Sequence, residues 1–544
     1  LKARHPKRCW QFRNEPPRSR ATAGFVDASP AGILPHVHVP HDSPWTILRH
    51  PATLATLIAS LLPALLWVGD TPWIYDEPAE LMIALDANQH HQLAFHALSG
   101  NFSVWYGPMP IQLLQGLLLI SHDPRVLIAI RAGLYGTITA LSLIWMARSF
   151  RLNPWFAVAI VLSPHLWLWN RQLWAAYMAV PCSALAIAAY ASFLRRPRGW
   201  NLALAVGCFL CLPLIHPQGL VVSLIFAGHL LWTHRSALRR YWPAVAGVIL
   251  LILLLNARYL NYAVRAVYNH AENSVEAGHP DRPSRWVAAS GALLGGRLFS
   301  TQEFPVQSLK PWPAWLIIAL VISGSLSVPL VWIGFISAVS IRFRREAADP
   351  LRYAFACLIV ASFTLHAGYL LLLNIPPRPY YLFGGFGLNV LAAGYGLRVL
   401  SQIRCAGIVV AMLILGCGGI TLGTQWLVHK SGWPAGTMSP TLDEQIALAQ
   451  ALNRYADTTA LSDVDVYTRH DRIEALWSLR RLYPPTMPDR RSGQLWIGYR
   501  GGGSGRIELR DAPPGPLPPN AKEIQLYPPG RIPASRPAIT ETGP

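Results

Sequence analysis

The sequence predicts an all-α polytopic membrane protein of about eleven transmembrane helices, with a two-helix outer first loop and a small α/β or mixed carboxy-terminal soluble domain. Three observations predict it. Apolar runs of membrane-spanning length recur along most of the 544-residue chain, which is 52% hydrophobic. The basic residues behind the formal charge of +19 gather between those runs, where they orient spans against an anionic leaflet rather than bind nucleic acid. The carboxylates avoid the runs, and three of them fall together in Tyr75-Asp76-Glu77-Pro78-Ala79-Glu80.

Residues 1–52 are basic and Pro-rich without amphipathic period, and read as a disordered cytoplasmic tail. They lack the order of a secretory signal, so the first apolar run is a retained span. A transmembrane domain follows over 53–427, with spans expected at 53–69, 126–147, 154–169, 173–193, 201–215, 217–233, 242–257, 314–338, 353–374, 381–399 and 405–427. With the amino terminus inside, the Arg-rich connections near residues 150, 197, 238 and 344 fall inside as well.

Met109–Ser121 is too short to cross, and a crossing there would put those Arg clusters outside. It therefore belongs to an outer acidic loop, 70–125. That loop holds two helices. The first opens at Asp76-Glu77-Pro78, where acids and a first-turn Pro suit a helix start, and the second follows Tyr106-Gly107-Pro108-Met109-Pro110. A second outer loop spans 258–312. An odd number of spans places the rest outside: a small soluble domain over 428–511, then a Pro-rich extended tail over 512–544. Strands are expected at Gly493–Gly498 and Arg506–Arg510, and a helix at Glu474–Leu482. Six of the seven cysteines lie in apolar runs and Cys9 stands alone, so no disulfide framework is read, and Cys208 and Cys211 are taken as small buried residues.

The placement of charge narrows the function. Ion-coupled transporters hold the driving ion on a carboxylate at mid-membrane depth. This chain keeps its carboxylates out of the apolar runs and clusters three of them at the outer surface; Arg131, His165, His229 and His366 stand inside apolar runs. The topology brings Arg171, His216, Arg258 and Arg378 to the surface that holds the acids. A lipid-borne phosphate sits at that depth, where Arg pairs with it in bidentate fashion, and a carboxylate across the site takes the proton of an incoming hydroxyl or amine. For a sugar on a phosphate leaving group, one carboxylate base and a cationic cradle suffice, unlike the paired carboxylates of glycoside hydrolysis.

The order of these features resembles the GT-C superfamily of integral-membrane glycosyltransferases, such as the dolichyl-phosphate-mannose protein mannosyltransferases and the lipid A aminoarabinose transferases. A short first span leads to Tyr75-Asp76-Glu77, then Tyr106-Gly107-Pro108-Met109-Pro110. Next come Ser163-Pro164 and Asn170-Arg171-Gln172 at the third span, and Pro376-Pro377-Arg378-Pro379-Tyr380-Tyr381 before a late one. The resemblance covers roughly residues 53–427. It implies Asp76 as catalytic base or acceptor-binding group, with Glu77 as its partner. The donor would be a polyprenyl-phosphate sugar and the acceptor a lipid-linked glycan, a polysaccharide or a protein, on the outer face of a bacterial inner membrane. Arg171, Arg378 and Arg258 are the candidates for the donor phosphate, and Tyr75, Tyr106, His216 and Tyr381 for lining.

Some members of that superfamily hold a divalent cation with acidic residues. Here Asn170-Arg171 stands where a second acidic motif would follow the third span, and His90, His91 and His96 share no helix face, so no metal site is assigned. Glu80 and Asp86 read as surface charge. The reading from another class is a transporter or flippase of a lipid-linked saccharide, and a third is a non-catalytic relative. Proximity of Asp76 and Glu77 to Arg171 or Arg378 separates the enzyme from these.

Overall fold

The computed structural model describes residues 50–73, 76–98, 105–273, 309–344, 349–372, 383–431 and 441–455, with 465–468, 479, 481–483, 495–499, 507–510 and 523–527. Within a membrane a helix alone satisfies its own backbone, and helices dominate. They are α1 (Pro51–Leu65), α2 (Glu77–Gln89), α3 (Met109–Leu118), α4 (Pro124–Phe150), α5 (Trp155–Val161), α6 (Pro164–Arg171), α7 (Ala179–Arg195) and α8 (Gly199–Ile215). There follow α9 (Gly219–Thr233), α10 (Arg235–Asn273), α11 (Ala314–Ser325), α12 (Ser327–Arg344), α13 (Pro350–Leu372), α14 (Phe386–Gln402), α15 (Ala406–Ser431) and α16 (Leu442–Tyr455). Among the described residues, 6 stretches are long and apolar enough to cross a membrane: Pro124–Phe150, Ala175–Arg195, Arg235–Arg265, Ala314–Arg342, Pro350–Gly368 and Ala406–Lys430. α1, α3, α8 and α9 are apolar but shorter.

Local chemistry sets the boundaries. Asp123 caps α4 by accepting from the Arg125 amide at 2.8 Å, and Pro124 occupies the first turn. The expected span at 154–169 is two helices instead, because Pro164 has no amide to continue the ladder and opens α6 afresh. The break is satisfied from α15: the Thr421 hydroxyl donates to the Leu162 carbonyl at 2.8 Å. α10 runs past its expected end at residue 257 to Asn273, with a kink at Tyr241, so the first part of the stretch expected to form a second outer loop is helical. Leu250, Leu251, Leu254 and Leu255 stand exposed along it, as a lipid-facing helix requires.

Close helix contacts run through glycine. A Cβ on Gly334 of α12 would fall on the Ala392 carbonyl, and one on Gly396 of α14 on the Leu330 carbonyl. Gly416, Gly419 and Gly423 give α15 the same intimacy with Leu320, Gly324 and Trp312. Small residues at such seams let backbones approach where lipid offers no hydrophobic drive.

The bundle has two chemically distinct ends. At one, Arg195 donates to the Ser149 carbonyl, Tyr241 to the Pro197 carbonyl at 3.0 Å, and Tyr395 to the Arg352 carbonyl at 3.1 Å. Arg195 there also feels Asp349, Arg151, Arg352 and Arg196, so several of the Arg-rich connections meet at one level. α4, 27 residues long, leads from the acidic loop to this end, a rise of about 40 Å.

At the other end a second core forms outside the main bundle. Trp73, Leu81 and Ala84 pack with Ile111, Leu114 and Leu118 of α3, with Leu127 and Ile128 of α4, and with Leu442, Ile446 and Ala449 of α16. Gln115 braces it, donating to Asn88 and to the Gln92 carbonyl at 2.9 Å and accepting from the Ala94 amide at 2.8 Å. α16 joins this core through a bridge between Pro72 and Thr441, with the Leu442 amide on the Thr71 carbonyl at 2.8 Å.

Four strands, β1 (Asp465–Thr468), β2 (Leu495–Tyr499), β3 (Ile507–Arg510) and β4 (Glu523–Tyr527), pair antiparallel in the order β1-β4-β2-β3. β2 and β3 overlap the two segments expected to be extended. The helix expected at Glu474–Leu482 lies largely outside the described residues.

Candidate active site

α2 presents Glu77, Glu80, Leu81 and Ala84 on one buried face, the i, i+3, i+4, i+7 spacing of a core-facing stripe. Glu77 and Glu80 are each only 1% exposed. Glu80 is therefore not the surface charge expected from the sequence; the apolar residues a turn beyond it carry it into the interior. Asp76 precedes them as the N-cap, and its side chain makes no capping hydrogen bond.

What holds these acids is the extended stretch between α6 and the next helical turn, Ala175–Met178. The Trp174 indole Nε1 donates to Asp76 Oδ2 at 2.9 Å, and the Ala175 amide donates to Glu80 Oε1 at 3.1 Å. From the opposite side Arg131 of α4 donates to the Gln172 carbonyl and, at 2.6 Å, to the Trp174 carbonyl. Its guanidinium lies 4.7 Å from the centre of the Tyr135 ring. Arg131 is seven residues into α4, about 10 Å along its axis, so the acids sit over a buried cation.

Burial pushes the Asp76 carboxyl above the ordinary carboxylate range, while the Trp174 hydrogen bond pulls it back. Glu80 is pushed well above that range, by burial first and then by the field of Asp76. The Ala175 amide opposes this, Glu77 adds to it, and Arg131 opposes it more weakly. Of two carboxyls one helical turn apart, Glu80 is thus displaced upward further than Asp76, which favours the proton on Glu80 and the charge on Asp76.

An aromatic wall stands behind Trp174. Its ring is 4.5 Å from Trp169 and 6.1 Å from Phe383, and Phe383 is 5.7 Å from Tyr177. Phe383 stands two residues beyond the Pro376–Tyr381 stretch, which lies outside the described residues, and meets the Trp174 ring that holds Asp76. A Cβ on Gly384 would lie 3.2 Å from Gly219 Cα, which brings in the turn carrying His216. Tyr106 completes the ring of segments, 4.8 Å from His216. Burial lowers the His216 pKa to about 4, which keeps its imidazole neutral. Gly107 packs directly on the Leu214 backbone, where a Cβ would collide.

The candidate phosphate-binding residues separate. Arg171 is 1% exposed and donates to Gln425 and to the carbonyl of Trp67, the latter residue in the left-handed region at φ 44°. Its field reaches Asp70, which itself pairs with His429 at 3.0 Å. Arg131, rather than Arg171, is the guanidinium tied to the Asp76 region, so the proximity of Asp76 and Glu77 to Arg171 expected of an enzyme is not found among the contacts of the described residues. Arg258 is exposed, 4.3 Å from the centre of the Phe95 ring. It lines a cavity of about 270 Å³ with Phe95, Pro108, Leu254, Asn256 and Tyr259. Tyr75, Arg378 and Tyr381 lie outside the described residues. Asp86 is at the surface, paired with Arg481.

Among the described residues no group of three or more His, Cys, Asp or Glu side chains is arranged to hold a metal ion. Within the acidic cluster one Glu80 oxygen is engaged by a peptide amide. Trp174 and Glu80 were not anticipated from sequence as site residues. The signal for Glu80 was its spacing with Leu81 and Ala84; nothing local marks Trp174. No protein-family model and no curated protein matches the sequence.

Proposed function

We propose that the chain is an inverting membrane glycosyltransferase of GT-C type that moves a sugar from a polyprenyl-phosphate donor to an acceptor hydroxyl or amine. The observation that carries this reading is convergence: the acidic start of α2, the Gln172–Ala175 stretch and Phe383 meet through Asp76, Trp174 and their aromatic wall. The first is one of the segments whose order resembles that superfamily, the second continues Asn170-Arg171-Gln172, and Phe383 lies two residues beyond Pro376–Tyr381. Carboxylate-free spans support an enzyme over an ion-coupled carrier.

In the reaction, the ionised Asp76 carboxylate takes the proton of the acceptor O–H or N–H as that atom attacks the anomeric carbon from the face opposite the phosphate. The bond to phosphate oxygen breaks and polyprenyl phosphate leaves with the electron pair. No second carboxylic acid is needed for so good a leaving group. Arg258, in a cavity bordered by exposed leucines, is suited to the departing phosphate, its guanidinium on the headgroup and its neighbours on the polyprenyl chain. The acceptor is a lipid-linked glycan, a surface polysaccharide or a protein.

In this reading α1, α8, α9, α14 and the broken α5–α6 pair complete about eleven crossings alongside the 6 longer stretches, in a bacterial inner membrane. The amino terminus is cytoplasmic, and the acidic loop, α16 and the carboxy terminus lie outside. The test is the Asp76→Asn variant assayed with a panel of polyprenyl-phosphate hexoses and pentoses. Loss of a general base lowers the transfer rate about 100-fold or more, with elution and melting as in the parent protein. Unchanged transfer removes Asp76 as the base.

A further inference from the structure

The stretch Gln172–Ala175 takes no part in the chemistry as written, yet it is held from two sides. Arg131, 4% exposed, takes its carbonyls from the α4 side. Glu80, 1% exposed, takes its Ala175 amide from the α2 side at 3.1 Å. Between those holds the Trp174 indole projects to Asp76 Oδ2 at 2.9 Å. Asp76 caps its own helix with no side-chain hydrogen bond, so the indole, and not the helix, sets the carboxylate's orientation.

We propose that Glu80 and Arg131 are positioning residues, which clamp the Trp174 peptide from opposite sides so that its indole N–H holds the Asp76 carboxylate in one orientation. The catalytic consequence rests on Asp76 as the base; the clamp does not. Glu80 needs only an acceptor oxygen for this role, so a neutral amide serves in its place. An ionised Glu80 acting as a base has no such substitute, which separates the two roles. Among the described residues, the titratable and charged groups linked to Asp76 or to the clamp are Glu77 and Glu80 on α2, Arg131 and Tyr135 on α4, and Tyr177 beyond the stretch.

The test uses the full-length protein in detergent micelles and dicyclohexylcarbodiimide, which adds a protonated carboxyl across its C=N bond and rearranges to an N-acylurea with nothing expelled. Peptide mass spectrometry then gives the pH midpoint of labelling at Asp76. Trp174→Phe removes the donor that favours ionised Asp76, so the midpoint rises by about 0.5 to 1 pH unit. Glu80→Ala and Arg131→Met raise it similarly, and the Glu80→Ala/Trp174→Phe double variant rises no further than Trp174→Phe alone. Glu80→Gln stays at the parent midpoint.

The clamp is overturned if Glu80→Ala leaves the midpoint where it was, if Glu80→Gln shifts it as far as Glu80→Ala, or if the two shifts add in full. With a polyprenyl-phosphate hexose as probe, the acid limb of the pH–rate profile moves to higher pH by the same amount in Glu80→Ala and not in Glu80→Gln. Labelling shifts as described, without transfer by the parent protein for any donor of the panel, sink the glycosyltransferase reading and leave the clamp standing.

Discussion

Glu80 carries a stability signature as well as a positioning role. Its folded-state pKa is raised, so the folded form binds the proton more tightly than the unfolded one, and its contribution to stability is complete below the ordinary Glu value of about 4.5. As pH climbs above that value the unfolded chain sheds the proton first, and stability falls. Thermal midpoints in detergent should therefore decline as pH climbs above about 4.5, and Glu80→Gln should flatten the part of that slope Glu80 causes. A slope identical in both proteins contradicts a buried, proton-holding Glu80. Arg171 teaches the complementary lesson. Its position at a span end suggests a phosphate ligand, but two of its guanidinium nitrogens donate to Gln425 and to the Trp67 carbonyl. Those partners engage two of its guanidinium nitrogens and leave Nε buried without a partner among the described residues; they are distant in sequence, and no local pattern reveals them.

At the scale of elements, the apolar runs were legible because a membrane-spanning helix must be apolar over its whole length. Where a run was misjudged, a backbone group explains it. Ser163-Pro164 splits the third run, and the freed Leu162 carbonyl survives because Thr421 reaches it. Thr421→Val should cost about 1 to 3 kcal/mol, read by denaturation in mixed micelles; no loss would mean the break is satisfied otherwise. The α12–α14 seam makes a sharper prediction. Gly396→Val puts two methyl groups against the Leu330 carbonyl, so the helices must separate and the purified yield should collapse. Gly368→Val, where nothing lies within 4 Å of a Cβ, should be tolerated. The outer core was less legible, since α16 enters it from residues that composition alone assigned to a separate soluble domain.

Across the whole molecule, charge sorts to opposite ends. The Arg-rich connections gather through Arg195, Arg352 and Pro197, and the acids gather under α16 and the aromatic wall. The positive-inside rule orients such a molecule with its acids outside. In a background without the native cysteines, Leu93→Cys, in the acidic loop, should react with an impermeant maleimide on intact cells. Ser236→Cys, beside Arg235 at the basic end, should react only after permeabilisation. The reverse pattern overturns the orientation.

Chemistry against carriage is the remaining division. It is decided by a labelled polyprenyl-phosphate hexose in sealed proteoliposomes, with an envelope glycolipid extract as acceptor. The account predicts free polyprenyl phosphate and labelled acceptor with the parent protein, and about 100-fold less of both with Asp76→Asn. Intact donor equilibrating between leaflets at equal rates in both proteins, with no phosphate released, would contradict it.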